Sequence, residues 1–331
     1  MEVVMNKKYF PGANSGKGFF SRFDGIIPTY AEPHYTYVLK GGPGVGKNTL
    51  MKKVAQRAVE KGYAVEEFRC ASDPKSFDAV RVPKLGIVLL DGTAPHSIDP
   101  AVPGINDEVI DLGHFKNHHE FATYREPINE LLADNKSHYN AAYAMLGAAR
   151  LLKNEAVRAA YGALDIEKLR AFIARLITSK KQGTQRKLFA RSATPDGVMD
   201  FSSSFLPEGT VKFTGIVGEI ALAEAEKMLA GKQCDIFYDF VDPDAPYAIA
   251  VGDTAISIGE GGDTLTGMYR TEAPAHIGFC LDKAEHLIKR AIAELSKALA
   301  AHDKIEEIYR DYVDYDRVNK ESEALLKRIG L

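Results

Sequence analysis

Tyr35-Thr-Tyr-Val-Leu39, Lys40 and then Gly41-Gly-Pro-Gly-Val-Gly-Lys47-Asn48-Thr49 form the stretch whose reading decides the fold. The first five residues are β-branched, aromatic or aliphatic and predict a strand. From Asn48 to Lys61 the spacing of Leu50, Met51, Val54 and Val59 predicts an amphipathic helix, which Gly62 caps. Between them lies GxxxxGK. Glycines let such a loop curl so that successive backbone N–H groups face one point, and the following helix N-terminus and Lys47 add positive potential there. Gly41, Gly44 and Gly46 are where a side chain would most obstruct the curl, and Gly42, Pro43 and Val45 complete the loop.

Outward from this core, Ala64 to Cys70 predicts a second strand, Ser72-Asp73-Pro74 a turn, and Leu85-Gly-Ile-Val-Leu-Leu90 a strand covered on both faces. Alternating strands and helices predict a doubly wound, mainly parallel α/β sheet of the P-loop NTPase type. Residues from about 115 to 180 carry apolar stripes through Leu131, Tyr139, Tyr143, Leu146 and Leu151, which predicts a helical hairpin. Polar Ser179 to Arg186 then reads as a boundary. Domains are therefore expected at 1–180 and 186–331.

Arg186-Lys-Leu-Phe189 echoes Lys7-Lys-Tyr-Phe10. Sliding the halves so that Asp73 meets Asp242 also pairs Pro74 with Pro243, Ala79 with Ala248, Val82 with Val251, and Asp91 with Glu260. A closing pair of helices, about 281–301 and 303–329, matches the first half's hairpin, so an internal duplication is expected. The counterpart of the glycine loop is read as Thr214 to Ala223, without a lysine and with Glu219 close by, so that copy is expected to hold no triphosphate.

Asp91 ends an apolar strand after Lys47, where an acid can hold Mg²⁺ and its water shell. Asn48 stands where a Ser or Thr hydroxyl normally meets the metal, and Thr49 follows, so either is a candidate inner ligand. Gly92 rather than Glu follows Asp91, so a base must come from elsewhere. Asp73 is preferred because its loop should adjoin the glycine loop, with His96, Asp107 and Glu108 as alternatives. Arg270 is read as an exposed loop arginine and Asn14-Ser-Gly-Lys-Gly18 as a tight turn. His114, His118 and His119 are read as a solvated helix start rather than a metal site.

The 331 residues are 45% apolar and 26% charged, with a net charge of −3. Those are globular proportions, and they give no support for nucleic-acid binding. Cys70, Cys234 and Cys280 are far apart and expected to be reduced. With no apolar run approaching the roughly 20 residues of a spanning helix, a cytoplasmic protein with no membrane partner is expected.

Given the glycine loop, Tyr9-Phe10 with the Gly12 to Phe20 turn, Ser72-Asp73, Asp91-Gly-Thr-Ala-Pro-His96 and the repeat beginning at Arg186, the chain resembles a poorly characterised bacterial group of tandem P-loop ATPase-like proteins. The resemblance implies a P-loop fold in each half and ATP binding, and names no substrate. Departures are Asn48 and the eroded second loop. ATP or another NTP with Mg²⁺ is thus the expected ligand set, and the second half is expected to pack on the first as a pseudo-dimer. Three readings stand: an ATPase or NTP-driven switch; a small-molecule or nucleotide kinase with residues 115–180 as a lid; and a non-catalytic nucleotide sensor presenting helices to a partner.

Overall fold

The structure is a computed structural model, and it describes residues 6–26, 34–94, 97–179 and 181–331. The first part of the chain forms β1 (Lys7–Tyr9), β2 (Gly12–Ser15), β3 (Gly18–Ser21), β4 (Tyr35–Lys40), α1 (Lys47–Glu60), β5 (Glu66–Arg69), β6 (Phe77–Val82), β7 (Ile87–Asp91), β8 (Asp107–Asp111), the single turn α2 (His118–Phe121), α3 (Arg125–Ala163) and α4 (Ile166–Leu176). The remainder forms β9 (Gln185–Phe189), β10 (Arg191–Thr194), β11 (Gly197–Asp200), β12 (Val211–Phe213), α5 (Gly215–Met228), β13 (Cys234–Tyr238), β14 (Pro246–Val251), β15 (Thr254–Ile258), α6 (His276–Tyr312) and α7 (Tyr315–Arg328).

The fold is mixed α/β. One sheet has the order β1-β5-β6-β7-β4-β8 and another β9-β13-β14-β15-β12, the same order except for the added edge strand β8. In both, two successive pairings are antiparallel, β5–β6 and β6–β7 in the first and β13–β14 and β14–β15 in the second, and the rest are parallel. The sequence reading passed over β6. Its Phe77-Asp-Ala-Val-Arg-Val82 is apolar at nearly every position except Asp78 and Arg81, and the chain reverses through Pro83–Leu85 with Gly86 at φ +62°. That turn makes the sheet mixed rather than mainly parallel.

Helices cover only one face of each sheet. Tyr37, Leu39, Val80 and Leu89 face Leu50, Met51 and Val54 of α1. The alternate residues Val38, Ala79, Val88 and Leu90 instead join Leu188, Phe237 and Ala248 of the other sheet in a second core. The Leu85 to Leu90 run is covered on both sides as its composition required, but the second cover is a sheet. Tyr9 stacks on Phe237 at 5.9 Å between ring centroids. Beside it Arg186 makes a bidentate pair with Glu66, both bonds 2.8 Å. Burial alone would raise the Glu66 pKa, but the Arg186 bonds and charge hold it below the usual range. A third, antiparallel sheet, β11-β10-β2-β3, is shared by both halves through Ala193 and Asn14.

The helices depart furthest from expectation. α3 and α6, 39 and 37 residues long, pack against each other rather than folding back as separate hairpins. α6 runs through His302, where a break was expected, because Ala298, Ala301 and Ile305 continue its buried stripe. It ends only at Val313-Asp314, and Asp314 caps α7 by accepting from Arg317 N–H at 3.3 Å. α4 then buries Leu169 and Ile173 beside Ile216 and Ile220 of α5. α7 buries Val318, Leu325 and Leu326 beside Leu50 and Met51 of α1. Each half's short closing helix therefore docks on the other half.

No helix among the described residues is long and apolar enough to cross a membrane. The three cysteines are free.

Candidate functional site

The glycine loop joins β4 to α1 as its sequence demands. Gly41, Gly44 and Gly46 have φ of +136°, +69° and +100°, alternating with residues of negative φ, the backbone form that turns neighbouring N–H groups toward one concavity. The N–H groups of Gly44, Val45, Gly46 and Lys47 donate to no acceptor among the described residues. Val45 is fully buried and pins the loop to the core. Lys47 folds its ammonium back over the loop, donating to the carbonyls of Gly41 at 2.7 Å and Gly42 at 3.0 Å.

Asp91 ends β7 directly beside Leu39 of β4. Its Oδ2 lies 3.6 Å from Lys47 Nζ, while Oδ1 accepts from Thr93 N–H at 2.9 Å and Thr93 Oγ1 at 2.6 Å. The acid and the lysine predicted to act together are thus adjacent. Asp78, which the sequence reading missed, lies on β6 one residue before the Ala79–Leu90 pair, next to Asp91. It is 3% exposed. Burial, then the charge of Asp91, pushes its pKa up to about 7, with a hydrogen bond to Cys70 acting the other way. An Asp interrupting an apolar strand was the signal for it.

Asn48, the candidate metal ligand, is engaged within the protein. Its Oδ1 accepts from Phe77 N–H at 3.2 Å and its Nδ2 donates to Ser76 Oγ at 3.0 Å. Ser76 in turn donates to Asp73, whose other oxygen accepts from Lys75 N–H at 3.1 Å. Asn48 therefore ties the first turn of α1 to the Asp73 turn and brings that turn beside the loop. Thr49 is exposed on α1 and makes no side-chain hydrogen bond among the described residues. No group of three metal-ligating side chains occurs among the described residues.

Two alternative bases are displaced. Asp107 and Glu108 begin β8, level with Thr36 and Tyr37 at the end of β4 away from the loop. Asp107 caps the N–H groups of Ala101 and Val102, and Glu108 pairs with Arg328 at 3.1 Å. His96 lies outside the described residues. His114 bonds Glu321 of α7 at 2.8 Å, while His119 is exposed. Arg270 is exposed and anchored by its N–H to Ala163 O.

What covers the loop comes from α6 and α7, which no local pattern announced. A Cβ on Gly42 would stand 2.6 Å from the Tyr309 ring, and one on Gly44 3.3 Å from both Arg310 Cγ and Glu306 O. Tyr315 donates to Gly44 O at 3.0 Å. Of the segment expected as a lid, residues 115–180, Phe115 and Phe121 pack on Tyr309 beside the loop at 5.9 and 5.0 Å between ring centroids, while α3 pairs with α6 and α4 docks on the second half.

In the second half the segment read as the loop's counterpart is not a loop. Thr214 alone separates β12 from α5, and Gly215 to Ala223, read as an eroded loop, is helix. The β14–β15 turn is also two residues shorter, with Val251 paired to Thr254 where Val82 pairs to Ile87. Ile258, not Glu260, therefore occupies the place of Asp91.

Comparison with protein-family models, with curated proteins and with solved structures finds no match, so the reading of this site rests on its own geometry.

Proposed function

We propose that the first half binds a nucleoside triphosphate, ATP being the expected one, with Mg²⁺, and that the chain is an ATPase or NTP-driven switch with one intact site. The observation that carries this is the run of four backbone N–H groups with no acceptor among the described residues, curled around positive-φ glycines beside Lys47 and within reach of Asp91. Such a concavity suits polyphosphate oxygens. In it the backbone orients the phosphates, Lys47 offsets their charge, and the Gly41 and Gly42 carbonyls hold that ammonium in place.

Mg²⁺ ordinarily takes one or two carboxylates, waters and substrate phosphates, and Asp91 is the residue placed to hold it. When bound, the metal would neutralise charge on the phosphates. Asn48 fits the inner-ligand role poorly, since its carbonyl oxygen already accepts from Phe77 N–H. Asp73, brought alongside α1 by Ser76 and Asn48, remains the base we favour for orienting a water. The kinase reading stays as the second one, since only the start of residues 115–180 comes near the loop, through Phe115 and Phe121 packed on the Tyr309 ring that abuts Gly42.

We further propose that the two halves are a P-loop-type duplication packed as an internal pseudo-dimer. The shared strand order and the reciprocal docking of α4 and α7 support it.

The test is thermal unfolding with and without millimolar ATP and Mg²⁺, together with phosphate release. The intact chain should be stabilised, by about 2.7 kcal/mol at a hundredfold excess over Kd, and Lys47→Ala should lose that effect while still folding. Unchanged melting of the intact chain would sink the proposal. Binding without phosphate release would leave a nucleotide sensor.

A further inference from the structure

The second half carries a cavity of about 230 Å³ where the first half has its glycine loop and acid. Its floor is Ile258 at the end of β15, one wall is Leu281, Ala284 and Ile288 of α6, and Lys153 enters from α3 of the first half. The cavity is smaller than the ~300 Å³ at which drug-sized pockets begin, so it suits a small metabolite and not a nucleotide.

Its polar lining holds Lys153, Arg191, Glu219, Asp239 and Glu285, the last paired with Lys289 of α6 at 2.7 Å. Lys153 Nζ lies 3.1 Å from Glu219 and 3.6 Å from Asp239. Burial would lower the Lys153 pKa, but Asp239 and Glu219 together push it upward, so it stays charged. Asp239, 8% exposed, would be raised by burial and is instead held down by Lys153, Arg191 and the N–H groups of Val241 and Asp242. Arg191 lies over the rings of Phe240 and Tyr247, at 5.1 and 4.9 Å. Its buried Nε has no hydrogen-bond partner among the described residues. A buried donor left unmet costs free energy comparable to a lost hydrogen bond.

From this lining we infer that the cavity binds an apolar α-amino acid. With the exposed Glu285 offset by Lys289, the two cations Lys153 and Arg191 face the two remaining carboxylates Glu219 and Asp239, so a ligand of zero net charge leaves the balance undisturbed, whereas a simple acid or amine would bury an uncompensated charge. A carboxylate would pair with the Arg191 guanidinium at the lining, an ammonium would use the acceptor capacity of Glu219, and a branched aliphatic side chain would meet Leu281, Ala284 and Ile288. The same helix α6 continues to Tyr309 and Arg310 against the glycine loop, so one rigid element borders both sites. The inference does not rest on nucleotide binding.

The test is calorimetric titration and thermal unfolding of the full chain with L-leucine, 4-methylpentanoate and 3-methylbutylamine as probes. L-leucine should bind saturably and raise Tm, with each single-charge analogue at least about tenfold weaker. Arg191→Gln should abolish binding. Ala284→Phe, which fills the cavity without touching a charge, should do the same, and Lys47→Ala should leave it intact. Circular dichroism confirms that each variant is folded. No leucine binding at 10-millimolar-scale concentrations, equal binding of either analogue, or leucine binding that survives Ala284→Phe would each overturn the inference.

Discussion

Replacing Asp78 with asparagine removes a titration from the middle of the first sheet. The carboxyl has a folded-state pKa of about 7 against an ordinary value of 3.8, first because it is buried and next because Asp91 stands beside it. A carboxyl whose pKa is higher folded than unfolded binds more protons in the folded state between those values. Stability therefore falls as pH rises from about 4 to about 7. At 1.36 kcal/mol per unit, the shift corresponds to about 4 kcal/mol lost across that window. Asparagine keeps the shape and cannot ionise, so Asp78→Asn should differ little from the parent near pH 4 and exceed it by a few kcal/mol at pH 8. Urea denaturation at half-unit pH steps measures this directly. Asp91→Asn is the companion variant, since removing its charge should move the inflection to lower pH. Parallel stability curves for the parent and Asp78→Asn would refute the reasoning, and with it the placement of Asp78 against Asp91.

Two further outcomes test the packing. Arg186→Met leaves the buried Glu66 carboxylate with its longer 3.3 Å bond to Arg81 and should cost up to about 3–5 kcal/mol, part of it recovered when Glu66→Met is added; a fully additive double variant would mean that the pair does not couple the halves. Gly42→Ala should drive its methyl into the Tyr309 ring and cost about 1–3 kcal/mol in thermal unfolding, with Tyr309→Ala relieving it. A neutral Gly42→Ala would place α6 away from the loop.

Much of the site was legible because its parts are local. The loop needs three glycines, a lysine and a strand and helix on either side, all within the residues from Tyr35 to Lys61. Gly62, at φ +78°, closes α1 as its position indicates. Asp91 was legible as the polar end of an apolar strand. Asp78 was not, because its strand was not recognised and its importance comes from lying across a hairpin from Asp91. Asn48 was legible as an irregularity, but its bond to Phe77 depends on where β6 begins. The Asp91–Glu260 alignment failed because a two-residue difference in hairpin length shifts every later position, which sequence identity alone does not locate.

The sequence by itself determined the glycine loop with the strand and helix that flank it, the strands before and at Asp91, and the echo of Lys7 to Phe10 in Arg186 to Phe189, because backbone propensity, capping and hydrophobic period act over a few residues. Only the tertiary structure decided that the sheets pack face to face, that α3 pairs with α6, and that α4 and α7 each cross to the other half. The physical reason is that an apolar stripe specifies that it must be buried, not which of two similar surfaces will bury it. That choice falls to the lengths of α3 and α6, which carry the closing helices past their own half, and it is what brings Tyr309, Arg310 and Tyr315 to the glycine loop.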